Sequence, residues 1–198
     1  MPEDKKSRWD WLGKLSPPET PQEVKRDVPI PPTLNETFTL LNEAYNSILN
    51  GRLNEAIEIC DSLLQKDPQN SDAWYYKGVT LCILAAQQAD FNKYIEYIKL
   101  AEQCFEQLLL INPNHSEGIF YRGLALVDLE RFKEALELFE KFLNNKPKDI
   151  MGLYWKSVCL YSLKRYKEAW TCINEVLIID PTFEEAKDLK ELCLMRLK

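Results

Sequence analysis

The sequence predicts an all-α protein, a solenoid of four antiparallel helix pairs closed at its C-terminal end by one further helix. Three observations carry that expectation. Pro68, Pro113, Pro147 and Pro181 recur at spacings of 45, 34 and 34 residues. Ala56, Ala101, Ala135 and Ala169 repeat those spacings, each twelve residues before its proline. Between these markers the apolar residues follow a helical period. A fixed period near 34 residues is the signature of a repeat architecture, in which each unit buries its apolar face against its neighbours.

Seven of the eleven prolines fall in residues 1–32. Proline lacks the backbone N–H and clashes with the preceding turn, so this stretch is read as an extended, proline-rich arm of balanced charge. The helical domain is expected over 33–198, opening with Thr33-Leu34-Asn35-Glu36 as a capping box. Repeats follow at about 37–70, 71–115, 116–149 and 150–183.

The third repeat shows the pattern. Ser116 can cap its first helix, along which Ile119, Gly123 and Leu126 recur at helical spacing. Glu130-Arg131 breaks the chain, and Phe132, Ala135, Phe139 and Phe142 recur on a second helix. A short turn between two amphipathic helices makes them antiparallel. Small residues are expected where the helices touch: Ala44, Gly78, Gly123 and Ser157 on first helices, facing the four alanines on second helices.

The second repeat is eleven residues longer than its neighbours, which predicts about a turn and a half more on each helix, with the tip at Gln87–Lys93. Residues 182–198 form the capping helix, with Phe183, Ala186, Leu189, Cys193 and Leu197 on its apolar face.

Trp74, Gly78, Leu81, Ala101, Phe105 and Pro113, with their equivalents in the following repeats, resemble the tetratricopeptide repeat family over residues 37–183. The resemblance implies a right-handed superhelix and a non-enzymatic protein-binding role, with a peptide held along the inner surface of the first helices. Where the family often has a small residue late in the second helix, this chain has Leu63, Leu108, Phe142 and Val176. That bulk is expected to loosen the spacing or change the twist.

The inner face reads as Asn42 and Tyr45; Tyr75, Tyr76 and Val79; Phe120, Tyr121 and Leu124; Tyr154, Trp155 and Tyr161. Each ring either packs between neighbouring helices or faces the groove. The pairs Tyr75-Tyr76, Phe120-Tyr121 and Tyr154-Trp155 cannot all bury both members on one side, because adjacent helical residues diverge by about 100°. Some rings are therefore expected to be open. Large aromatic side chains dominate interface energetics. Family members that grip chaperone C-termini use cationic and amide side chains at matching positions. Here Leu41, Tyr45, Tyr76, Glu117 and Tyr121 stand there, so that activity is not expected. Lys77, Arg122 and Lys156 flank the inner face and are expected to extend along the helix flank.

In the arm, Trp9, Trp11, Leu12 and Leu15 lie in a segment too short to fold alone. Two readings stand: a leader with incidental tryptophans, or a short motif that docks on a partner or into this protein's own groove.

The net charge of −6 opposes phosphate-backbone binding and fits a protein partner that brings Lys or Arg. Six cysteines form no CxxC pair and lie in apolar stripes, so free buried thiols in a reducing compartment are expected. One histidine and scattered glycines give no metal cluster, phosphate loop or acid–base pair, so no metal, cofactor or catalytic residue is expected. No apolar run is long enough to span a membrane. The expectation is a cytoplasmic adaptor, monomeric or weakly dimeric, that binds a peptide or helical segment of another protein. The alternatives are a permanently assembled structural subunit and, less favoured by charge, an RNA-binding helical repeat.

Overall fold

The computed structural model describes the backbone of residues 32–198 and the side chains from Glu36 onward. The described residues form α1 (Pro32–Leu49), α2 (Leu53–Lys66), α3 (Ser71–Ala86), α4 (Phe91–Ile111), α5 (Ser116–Asp128), α6 (Phe132–Asn145), α7 (Ile150–Ser162), α8 (Tyr166–Ile179) and α9 (Glu184–Leu197). Helix α1 begins at Pro32, one residue before the Thr33 expected to cap it. Proline's fixed φ suits the first helical position, where its missing N–H costs nothing.

The described residues divide into two compact units, the first ending at Pro113 and the second running from Asn114 to Lys198. In the first, α1 packs on α2, α2 on α3 and α3 on α4, with α1 also against α3. In the second, α5 to α9 pack each on the next, and α7 also touches α5 and α9.

Three of the four intrapair turns share one geometry. Gly51, Glu130 and Lys164 take φ of 71°, 58° and 63°. The next N–H, on Arg52, Arg131 or Arg165, reaches back to the carbonyl of Ser47, Leu126 or Leu160 at 2.8–2.9 Å. This left-handed closure satisfies carbonyls that the helix end would otherwise leave unpaired. The arginines then bridge Glu55, Glu134 and Glu168 three residues on, within the first turn of each second helix.

Helices α3, α5 and α7 start on polar caps. Asn70 accepts from the N–H of Ala73 and Asp149 from that of Gly152. Ser116, the expected cap of α5, is instead its first residue. His115 is the cap, its Nδ1 accepting from Gly118 N–H at 3.0 Å.

The extra length of the second pair is unequally shared. Helix α3 has 16 residues and α4 has 21, against 13 and 14 in each later pair. The Asp90 carboxylate accepts from Asn92 N–H and starts α4 at Phe91, so most of the added residues fall on α4. At that start Phe91 stacks on the buried Tyr94 with centroids 6.4 Å apart.

Ala56, Cys60 and Leu63 in α2 are buried, as are Ala101, Phe105 and Leu108 in α4. Ala135, Phe139 and Phe142 in α6, and Ala169, Ile173 and Val176 in α8, repeat the stripe. The glycines do not face alanines alone. A Cβ on Gly78 would lie 2.7 Å from the Phe105 ring, and one on Gly123 would lie 2.8 Å from the Phe139 ring. The late bulk at Phe142 of α6 is accommodated. A Cβ on Gly152 would meet Phe142 and Leu143 at 2.9 Å, so a missing side chain at the start of α7 makes room for them.

Helix α9 buries Ala186, Leu189 and Cys193 against the second unit. Phe183 ahead of it packs on Tyr154 at 5.0 Å, whereas Leu197 is exposed because it lies in the last turn of the described chain. All six cysteines are free thiols, five of them buried and Cys172 half-buried. No described helix is long and apolar enough to cross a membrane.

Candidate partner-binding surface

The first helices are far more enclosed than single-helix periodicity suggests. Tyr75, Tyr76 and Val79 on α3 are buried, and so are Phe120, Tyr121 and Leu124 on α5 and Tyr154 and Trp155 on α7. Both members of every adjacent aromatic pair are therefore inside, contrary to the expectation that some would stand open. The 100° between neighbours is real, but a first helix is covered from more than one direction. Helix α3 packs against α1, α2 and α4, and α7 against α5, α6, α8 and α9. The rings close on each other edge-on: Tyr75–Tyr76 at 5.3 Å, Phe120–Tyr121 at 6.1 Å and Tyr154–Trp155 at 5.3 Å.

Three of the expected residues remain half-buried: Asn42, Tyr45 and Tyr161. Tyr161 belongs to the C-terminal closure. Its ring lies 5.4 Å from Tyr166 of α8, and its proximity holds the Arg196 guanidinium of α9 above its ordinary pKa. Trp9, Trp11, Leu12 and Leu15 lie outside the described residues.

Asn42 and Tyr45 belong to a stripe that single-residue reading missed. Phe38, Asn42, Tyr45 and Leu49 recur at helical spacing along α1. The first three are half-buried and Leu49 is 55% exposed. The repeat period was the available signal. Shifting Asn42 and Tyr45 by 34 residues gives Tyr76 and Val79, which are 2% and 0% exposed. These positions are covered on α3, where α1 and α2 precede it, and partly open on α1.

The stripe adjoins polar groups. The Asn42 side-chain amide donates to the Phe38 carbonyl at 3.0 Å. The Tyr45 ring is 6.2 Å from that of Tyr76. Burial, then the nearby Asp72 carboxylate and Tyr45, hold the Tyr76 hydroxyl well above the usual phenol range, so it stays protonated. Exposed Glu36 and Glu43 lie on the same helix, which has no Lys or Arg. The Glu36 carboxyl is held below the usual carboxylate range by a hydrogen bond from Lys66 and by that lysine's charge.

The flanking bases do not run free along the helix. Lys77 pairs with Asp61 of the preceding second helix at 2.5 Å, and Lys156 with Glu140 at 3.3 Å. Among the described residues no group of His, Cys, Asp and Glu is arranged to hold a metal ion.

Residues 95–176 match the family described as anaphase-promoting complex, cyclosome, subunit 3, and residues 53–84 match the protein prenyltransferase alpha subunit repeat. No curated protein matches the sequence. Solved structures do match the fold. MamA from Desulfovibrio magneticus RS-1 superimposes with a TM-score of 0.68 at 16% identity, over 82% of this chain and 92% of that one. A thermophilic tetratricopeptide-repeat protein from Thermus thermophilus gives 0.60 at 18% identity, over 82% and 88% of the two chains. Helix pairs of a fixed period, small-residue seats under second-helix rings and these structural relatives agree: the fold is that of the tetratricopeptide-repeat proteins.

Proposed function

We propose that this protein is a binding scaffold that holds a segment of another protein against the α1–α3 face of its first unit. The observation that supports this reading is the half-open stripe Phe38, Asn42, Tyr45 and Leu49, whose central positions are buried one repeat later. Apolar surface beside the Asn42 amide, the Tyr45 hydroxyl and the Asp72 carboxylate suits an apolar or aromatic segment carrying Lys or Arg. Buried rings beneath such a face give it a fixed shape, which lowers the ordering cost of binding.

The test is a screen of the intact protein against peptides that pair aromatic or aliphatic residues with Lys or Arg. Tyr45→Ala and Leu49→Ser should each weaken a hit severalfold while leaving the helical circular dichroism unchanged. Hits that bind both variants as tightly as the parent would place the site elsewhere.

A permanently assembled subunit is the second reading, favoured by apolar side chains in the second unit. Ile178 is 79% and Met195 67% exposed, with Trp170 and Leu194 also open. Concentration-dependent self-association of the isolated chain, suppressed by Ile178→Glu, would favour it.

A further inference from the structure

We infer that the arm segment Lys5–Leu15 is a ligand of the same α1–α3 face and occupies it in the absence of a partner, so the protein regulates its own binding site. This rests on the reading of that face as a protein-binding surface.

Charge distribution gives the first argument. Residues 1–32 hold six acidic and six basic residues, and residues 114–198 hold fourteen of each. Residues 33–113 hold eleven Asp and Glu against five Lys and Arg, so the entire net charge of −6 resides in that stretch. Within the arm the balance is uneven. Lys5, Lys6, Arg8 and Lys14 face a lone Asp10 across Lys5–Leu15, giving +3. The most basic part of the arm is therefore tethered to the most acidic stretch of the protein, and opposite charges favour their association.

The second argument is chemistry. Trp9, Trp11, Leu12 and Leu15 bring two indoles and two aliphatic groups in seven residues. Phe38, Tyr45 and Leu49 offer apolar area of matching kind, with the Asp72 carboxylate near the Tyr76 hydroxyl for the bases. Indole N–H groups suit a face rich in carboxylate, amide and phenol acceptors.

The third argument is reach. Sixteen residues separate Leu15 from Pro32, where α1 begins. They span at most about 55 Å. Helix α1, of 18 residues, is about 27 Å long. The segment can reach every residue of the stripe. A tether of this length holds it at an effective concentration on the order of millimolar, so even a modest intrinsic affinity fills the face.

Two measurements on the full-length chain test this. In the first, Trp11→benzoylphenylalanine is irradiated and the cross-links are mapped. Intramolecular links to residues 38–49 are expected, and links only elsewhere or only between molecules overturn the inference. In the second, a fluorescent peptide of residues 5–15 is titrated into the full-length protein and into the full-length Trp9→Ala/Trp11→Ala variant. The variant should bind about tenfold tighter or more, because its own arm no longer competes. Equal, measurable affinity overturns arm docking but leaves the face a peptide site. Binding to neither overturns arm docking, and the peptide screen then decides the underlying reading by itself.

Discussion

Phe105 lies on Gly78 so closely that a β-carbon there would stand 2.7 Å from Cε1 of the ring. The same relationship joins Phe139 to Gly123 in the next pair at 2.8 Å. Where the second helix carries Cys60 or Ile173 at the equivalent position, the first helix carries Ala44 or Ser157. Glycine accompanies phenylalanine, and a larger small residue accompanies a smaller partner. One volume is filled in each pair, divided differently between the two helices.

Gly78→Ala and Gly123→Ala should therefore destabilise the fold by about 1–3 kcal/mol each, since the fully buried rings have little room to retreat. Urea midpoints at unchanged slope measure this. Adding Phe105→Leu to Gly78→Ala should recover part of the loss. A double variant no more stable than the sum of the two single losses predicts would separate the glycine from the ring.

The left-handed turns predict changes of opposite sign. Gly51 has φ of 71° and open space around its α-carbon, so Gly51→Ala should cost about 1 kcal/mol through backbone strain alone. Lys164→Gly relieves the same strain at φ 63° and should stabilise by a few tenths to about 1 kcal/mol. Thermal unfolding of the two variants provides the comparison.

His115 caps α5 through Nδ1, which accepts only when the ring is neutral. His115→Ala should cost about 1 kcal/mol, while His115→Asn, which caps by the same geometry as Asn70, should be close to neutral. Equal losses in both variants by urea unfolding would show that the imidazole acts through packing instead.

Burial pushes the Cys60 and Cys104 thiols up to about 12 from an ordinary 9.0. The folded protein keeps these protons while the unfolded chain releases them, so the thiols' contribution to stability is full below about pH 9 and falls as pH rises towards 12. Cys60→Ala/Cys104→Ala should flatten that fall, read from urea midpoints across the range. In the native state the half-buried Cys172 should react with a thiol reagent before either of them.

The arithmetic of the repeat was legible in the chain before any coordinate. Pro68, Pro113, Pro147 and Pro181 mark the pair boundaries, and Ala56, Ala101, Ala135 and Ala169 all lie in the core. Helical periodicity and proline breaks are local properties, and each is written in neighbouring residues. Tertiary structure decided what each face meets. Period alone places Tyr75 and Tyr76 on diverging sides of one helix, yet both are buried because three other helices pack on α3. It places Asn42 and Tyr76 at the same register position, yet Tyr76 is enclosed and Asn42 half-open, because α3 has a helix pair packed ahead of it. Glycine type at Gly78 is local, but its purpose, to seat Phe105, is set by a residue 27 positions away. A sequence records which side chains share a face, whereas burial depends on how many neighbours that face acquires, and only packing determines that number.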